Sequence, residues 1–210
     1  MDFVTTSFRH GQIILENHDN YSPLWNDLIS IIQNISDSDL IRAHESFDSP
    51  PMSLSKAINN LLKERFVSHE WKEESNIFYD ENNEGLGGKN WRLDFAKESI
   101  SIEVAFNHGE AIAWNLLKPV LAGELNHVKK QINTEIGVVI CATQELKESC
   151  AFDSAVGEYE KFIRYLKPLR DVLTVPMVII GLKAPVSFKL EKVKIAPRKN
   201  IGKVVYINND

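Results

Sequence analysis

Leu93–Phe106 reads LDFAKESISIEVAF, and the fold turns on how this stretch is read. Apolar residues alternate with polar ones on both sides of a short polar link, Ala96–Ser99, the pattern of two strands joined as a hairpin. In the second strand, alternation puts Ser99, Ser101, Glu103 and Ala105 on one face, with Ile100, Ile102, Val104 and Phe106 on the other. Glu103 therefore stands outside the greasy row, on a face that small side chains leave open. Folding the hairpin brings Asp94 back toward Glu103. Two carboxylates that close repel each other unless one keeps a proton or a cation intervenes. An oxygen-rich site of this kind suits magnesium, which keeps several waters and uses few protein carboxylates. A solvent-facing hairpin with two unrelated acids satisfies the same spacing, and spacing alone leaves both readings open.

The segments flanking the hairpin alternate between helical and strand patterns. SPLWNDLISIIQNI (22–35) predicts a helix, with Ser22 as its cap, Pro23 in its first turn and Leu24, Leu28, Ile31 and Ile32 on one face. SLSKAINNLLKERF (53–66) predicts a second, capped by Ser53, with Ala57, Leu61, Leu62 and Phe66 inward. GLGGK (85–89) reads as a flexible loop ahead of the hairpin. From Gly109 to about Lys130 the apolar spacing is helical, IGVVICA (136–142) reads as a central strand, and 154–173 as a further helix. VPMVIIGL (175–182) is a second buried strand, followed by weaker strands at 188–194 and 203–208. The order implies one α/β or α+β domain spanning 1–210, a mixed sheet flanked by helices, with 187–210 as a basic extension.

Composition bounds the function. The 210 residues are 43% apolar and 25% charged, ordinary for a soluble globular chain with one sizeable core. No apolar run reaches membrane-spanning length, and the amino terminus lacks a secretory pattern. Cys141 and Cys150 are expected to be free thiols, as in a reducing cytoplasm. The net charge of -5 argues weakly against a polyanionic partner, but its distribution matters more. Residues 1–60 carry eight acidic and three basic side chains, whereas 187–203 carry six basic and one acidic. Such a basic tail either steers a polyanion or protects an edge strand.

Asp94–Phe106 resembles the active-site hairpin of the type II restriction endonucleases of the BglII, BstYI and BamHI group, within the PD-(D/E)xK nucleases. There the hairpin runs Asp-Phe, a short charged turn, then an apolar strand ending Glu-Val-Gln-Phe. Asp94 and Glu103 match its two acids at the same spacing. LWNDLISIIQNI, HEWKEE (69–74), and ATQELKESCAFDSAVGEYE with VPMVIIGL extend the likeness over roughly 20–184. The resemblance implies a restriction-endonuclease-like fold, Mg2+ at Asp94 and Glu103, and a homodimer that cuts double-stranded DNA at a palindrome, with GATC as a candidate core. The dimer helix would be 110–122.

One position departs from the family pattern. Where the broad class carries Lys, and its BglII-like members Gln, this chain has Ala105, which can neither hold a water nor supply charge. Either the chemistry manages without that side chain, a neighbour such as Lys97, His108 or Glu110 reaches in, or the chain binds DNA without cutting it. The resemblance further implies DNA contacts at Asn107 after the hairpin and at Asp153 and Ser154 in the groove-entering segment. His108 could orient a water or contact phosphate, and the compact basic loop of Arg198 and Lys199 after Pro197 could contact the backbone or minor groove. Each has a plainer reading: Asn107 as a helix-start cap, His108 as an exposed turn residue, Ser154 as the cap of helix 155–167. Lys118, Lys129 and Lys130 fit solvated helix surface, with phosphate contact as the alternative.

Overall fold

The computed structural model describes residues 1–78, 91–124, 130, 132–197 and 199–207. The loop expected at 85–89, Lys129 and Arg198 lie outside the described residues. Among the described residues, strands and helices follow one another as β1 (Phe3–Phe8), α1 (Gly11–Asn17), α2 (Ser22–Gln33), α3 (Asp37–Glu45), α4 (Ser55–Ser68), β2 (Lys72–Asn76), β3 (Arg92–Lys97), β4 (Ile100–Ala105), α5 (Ile112–Gly123), β5 (Ile136–Ala142), α6 (Gln144–Ser149), α7 (Tyr159–Leu166), β6 (Met177–Leu182), β7 (Phe188–Ala196) and β8 (Lys199–Tyr206). One sheet runs in the order β1-β6-β5-β4-β3-β2, and β7 with β8 forms a separate ribbon. The three central strands β4, β5 and β6 are parallel, and every other neighbour in the sheet is antiparallel. Parallel neighbours need a crossover, which α5 supplies between β4 and β5, and α6 with α7 between β5 and β6.

The expected alternation along β4 holds, and each face has its own core. Ile100 and Ile102 join Leu28, Ile32, Phe66 and Phe95 under the amino-terminal helices, with Val104 and Phe106 at the margin. Ala105 faces the opposite side and packs with Ile112, Leu116, Val139 and Cys141 beneath α5. The all-apolar β5 and β6 are buried along their whole length, as strands covered on both faces must be. On the first face Asp27 pins the hairpin to α2. It accepts from Trp71 Nε1 at 2.9 Å and pairs with His69 Nδ1 at 2.6 Å, while Lys97 Nζ donates to the His69 carbonyl at 2.7 Å.

Several boundaries differ from the sequence reading. Tyr21, not Ser22, stands at the N-cap position of α2 and Leu54, not Ser53, at that of α4, neither with a capping side-chain hydrogen bond. The helix expected from residue 154 begins only at Tyr159, with Glu158 at its cap, so Ser154 is not the capping residue. The reason is local. Ala155 O accepts from Gly109 N at 2.7 Å and Gly157 N donates to Asn107 O at 3.1 Å, so those backbone groups are engaged across the chain instead of in a helical turn. The sequence reading did not anticipate β1, α1, α3 and β2, although α3 opens on a capping box between Ser36 and Asp39. The paired partner of β1 is β6, far along the chain.

Two features set the height of α5 above the sheet. A Cβ added to Gly137 on β5 would lie 2.6 Å from the Pro119 Cβ, so only glycine admits the helix at this distance. The 3₁₀ turn Gly109–Ala111 then leads directly from the end of β4 into α5. This close crossover decides which α5 side chains reach Glu103.

Candidate active site

β3 and β4 pair Phe95 with Ile102, Ala96 with Ser101 and Lys97 with Ile100 around a two-residue turn. Continuing that register sets Asp94 opposite Glu103, on the face away from the amino-terminal helices. Asp94 Oδ2 accepts from Val104 N at 2.7 Å, which fixes the carboxylate against β4. Glu103 is only 1% exposed. The face is therefore not open, as the small residues along it suggested, because α5 closes over it.

That closure supplies a cation. Lys118 is 9% exposed, and its Nζ forms an ion pair with Glu103 Oε2 and donates to the Arg92 carbonyl at 3.1 Å. The solvated helix surface expected for Lys118 gives way to burial because Gly137 lets α5 sit low. The other Glu103 oxygen, Oε1, is buried with no hydrogen-bond partner among the described residues. Burial, with Asp94 adding to it, pushes the Glu103 carboxyl up to about 8 against the pull of Lys118. Burial also raises Asp94, although Lys118 and the Val104 amide oppose it. One ammonium offsets only one of the two carboxylates, so burial and their mutual repulsion leave the pair favouring either a proton or further positive charge.

Glu74 completes the surroundings. It stands across from Asp94 on β2 but adopts a left-handed φ of 46°, which interrupts the β2–β3 pairing between Glu73 and Ser75. Its side chain turns to Arg92, with Oε2 3.0 Å from Nη1. Asp94 borders two small clefts, of about 190 Å³ each. One is lined by Asn59, Lys63, Glu73 and Glu74, the other by Glu74, Arg92 and Lys118. A larger groove of about 720 Å³ lies at the opposite edge of the sheet, between β1, α1 and α7, away from these acids.

Tested against a hard divalent cation, the donor set fits. Two carboxylates face each other and one oxygen of Glu103 lacks a partner, although no group of three or more acidic, histidine or cysteine ligands occurs among the described residues. Magnesium tolerates so few protein ligands because it keeps its waters.

The remaining sequence candidates sort by position. Ala105 is 1% exposed, paired in register with Cys141 and enclosed by apolar side chains. The neighbours offered in its place do not fill in. Lys97 points to the opposite face, toward His69 and Asp27, and His108 and Glu110 are exposed beyond the strand end. Asn107 accepts from Asn115 Nδ2 at 2.9 Å, so its side chain is braced by α5. His108 bridges Val156, which brings Asn107 and His108 beside the exposed Asp153 and Ser154. Asp153 itself folds into a turn, accepting from Ala155 N at 2.8 Å. Lys199 is exposed at the start of β8, apart from this cluster. Lys130 caps α5, donating to Ala122 O at 2.9 Å. The sequence reading passed over Glu74 as a member of the site and set Lys118 on solvated helix surface, with phosphate contact only as the alternative. A signal for Lys118 was present: Asn115, Lys118 and Ala122 form a row along the inner stripe of an otherwise apolar helix.

Comparison with known proteins agrees with this geometry. The family model for restriction endonuclease BglII/BglIII matches residues 3–182. No curated protein sequence matches the chain. Among solved structures, restriction endonuclease BglII complexed with a DNA 16-mer superposes with a TM-score of 0.64 at 17% identity, covering 99% of this chain and 100% of that one. Free BglII superposes with a TM-score of 0.54 at 17% identity and the same coverage. The fold, the hairpin acids and the span of the family model together place this chain in the BglII/BglIII family of type II restriction endonucleases.

Proposed function

We propose that the chain is a homodimeric, magnesium-dependent endonuclease that hydrolyses double-stranded DNA at a short palindrome, with a GATC core as the candidate sequence. The observation that carries this reading is the Asp94–Glu103 pair on one buried hairpin face, with Glu103 Oε1 unpartnered. A divalent cation there would polarise the scissile phosphate and acidify a bound water. The chain's own residues do the rest. Val104 N fixes Asp94, Lys118 and α5 exclude solvent around Glu103, and the adjoining clefts leave Asp94 accessible from the surface. Asn107, His108, Asp153 and Ser154 form one exposed cluster beyond the carboxyl end of β4, the place from which a base edge could be read. The family's solved DNA complex is the support for a DNA partner.

Ala105 favours a second reading, a sequence-specific binding protein with weakened chemistry. One experiment separates the two: wild type and Asp94→Asn are incubated with a plasmid bearing candidate sites, with magnesium and with chelator. Discrete fragments that require the metal, reduced at least about 100-fold by Asp94→Asn while duplex binding persists, support the endonuclease. A specific mobility shift without cleavage supports the binding protein.

A further inference from the structure

We infer that Lys118, delivered by α5, supplies the site with an ammonium that position 105 does not, and acts on the scissile phosphate and attacking water. The inference rests on the endonuclease reading and deepens it. Position 105 cannot supply charge, and the alanine there is walled in by Ile112, Leu116, Val139 and Cys141. Yet the site still receives one buried ammonium from a different element. Lys118 meets Glu103 directly, donates to the Arg92 carbonyl, and lines the same cleft as Asp94. An ammonium has three N–H donors, and its point charge does not depend on which backbone carries it. In a strand-borne arrangement the lysine rises from the same face as the glutamate. Here it descends onto that face from above, and Gly137 permits the approach.

The alternative is that Lys118 only neutralises buried Glu103. The two roles separate chemically. A bare counter-ion becomes dispensable once a divalent cation occupies the carboxylates, whereas an ammonium on the phosphate is still needed at saturating metal. It donates to a non-bridging phosphate oxygen and to the water, and it offsets charge gathering on the phosphorus oxygens as the water oxygen bonds phosphorus and the bridging oxygen leaves. The attacking water gives its proton to solvent in the cleft, and the leaving oxygen takes one from it. No proton need leave the ammonium.

The test uses the full chain as wild type, Lys118→Met and Lys118→Gln. The glutamine form keeps an uncharged amide donor on a slightly shorter side chain, so it keeps the experiment meaningful if the methionine form does not fold. Two measurements are made. The first is single-turnover cleavage of one specific duplex at saturating magnesium. The second is duplex affinity in calcium, with a neutral methylphosphonate placed in turn at each phosphate of the site. Both variants are expected to keep calcium-supported affinity within a few-fold and to lose cleavage by at least about 100-fold. Wild type should lose affinity at one methylphosphonate position, and the variants should not, a coupling of about fivefold or more. Cleavage near the wild-type rate in either folded variant at saturating metal would overturn the inference, as would additive effects at every phosphate. Failure of the wild type to cut, with binding intact, falls on the endonuclease reading, and the methylphosphonate coupling still decides whether Lys118 meets the phosphate. A wild type that binds no duplex overturns both.

Discussion

At Glu103 the physics of burial becomes a pH dependence. Its carboxyl is carried from an ordinary 4.5 to about 8 by burial and by Asp94. A raised acid favours folding while it keeps its proton, fully below its unfolded value, and that contribution is lost as pH climbs through the folded value. The metal-free chain should therefore lose stability between about 4.5 and about 8, at up to about 1.4 kcal/mol per pH unit for one group. Glu103→Gln removes that slope, so its thermal midpoint in chelator should vary less over the same range. Equal slopes in both proteins would show that Glu103 is not the titrating group. Added magnesium should raise the wild-type midpoint more above pH 8 than below it, because the cation competes with the proton for the same oxygens. Glu103→Gln should blunt that gain.

Among the elements, α5 contributes most to the site, and its height matters. Gly137 sits against Pro119, and a methyl at that position would have to push α5 outward. Gly137→Ala should cost about 1–3 kcal/mol by overpacking. It should also lift Lys118 from Glu103, so cleavage should fall further than the stability loss explains. Urea unfolding paired with single-turnover cleavage below the unfolding transition reads both, and a destabilised protein that cuts at full rate would show that the helix position is not critical. The same helix is the contact surface in the homodimer proposed above. Trp114 stacks edge-on against Trp91 with ring centroids 5.3 Å apart, and Leu116 and Val120 are buried in the sheet core. What α5 has left for a second subunit is the half-buried strip of Ala113, Leu117 and Leu121.

For the whole molecule, the basic tail is a ribbon with a buried root and an exposed shaft. Phe188 and Leu190 join the main core, Ser187 donates to Asp37 Oδ2 through both its amide and its hydroxyl, and His44 meets Gly202 O at 2.8 Å. Beyond that root, Lys192, Lys194 and Lys199 are exposed on one projecting β-hairpin. Replacing these three lysines with alanine should weaken duplex binding without altering the cleavage rate of bound DNA. The dependence of log affinity on log salt should become shallower by about 0.9 for each phosphate that the ribbon no longer neutralises. An unchanged salt slope would remove the ribbon from the DNA interface. Light scattering on the complex should give two chains per palindromic duplex, and one chain per duplex would refute the homodimer.

Local pattern made much of this protein legible. Strict alternation marked β3 and β4, apolar periodicity marked α2, α4 and α5, and unbroken apolar runs marked β5 and β6, because those signals depend only on which side chains must leave water. The same alternation put Asp94 and Glu103 on one face, and the family likeness of the hairpin gave them a chemistry. Contacts between distant segments were not legible. Burial of Glu103 under α5, the pairing of β1 with β6, the docking of 107–109 against 155–157 and the engagement of Lys118 all arise between residues far apart in the chain. A lysine in a helical sequence reads as surface because water is its most favourable environment. Only the packed structure, with glycine at 137 and an acid at 103, makes the interior of this site its place.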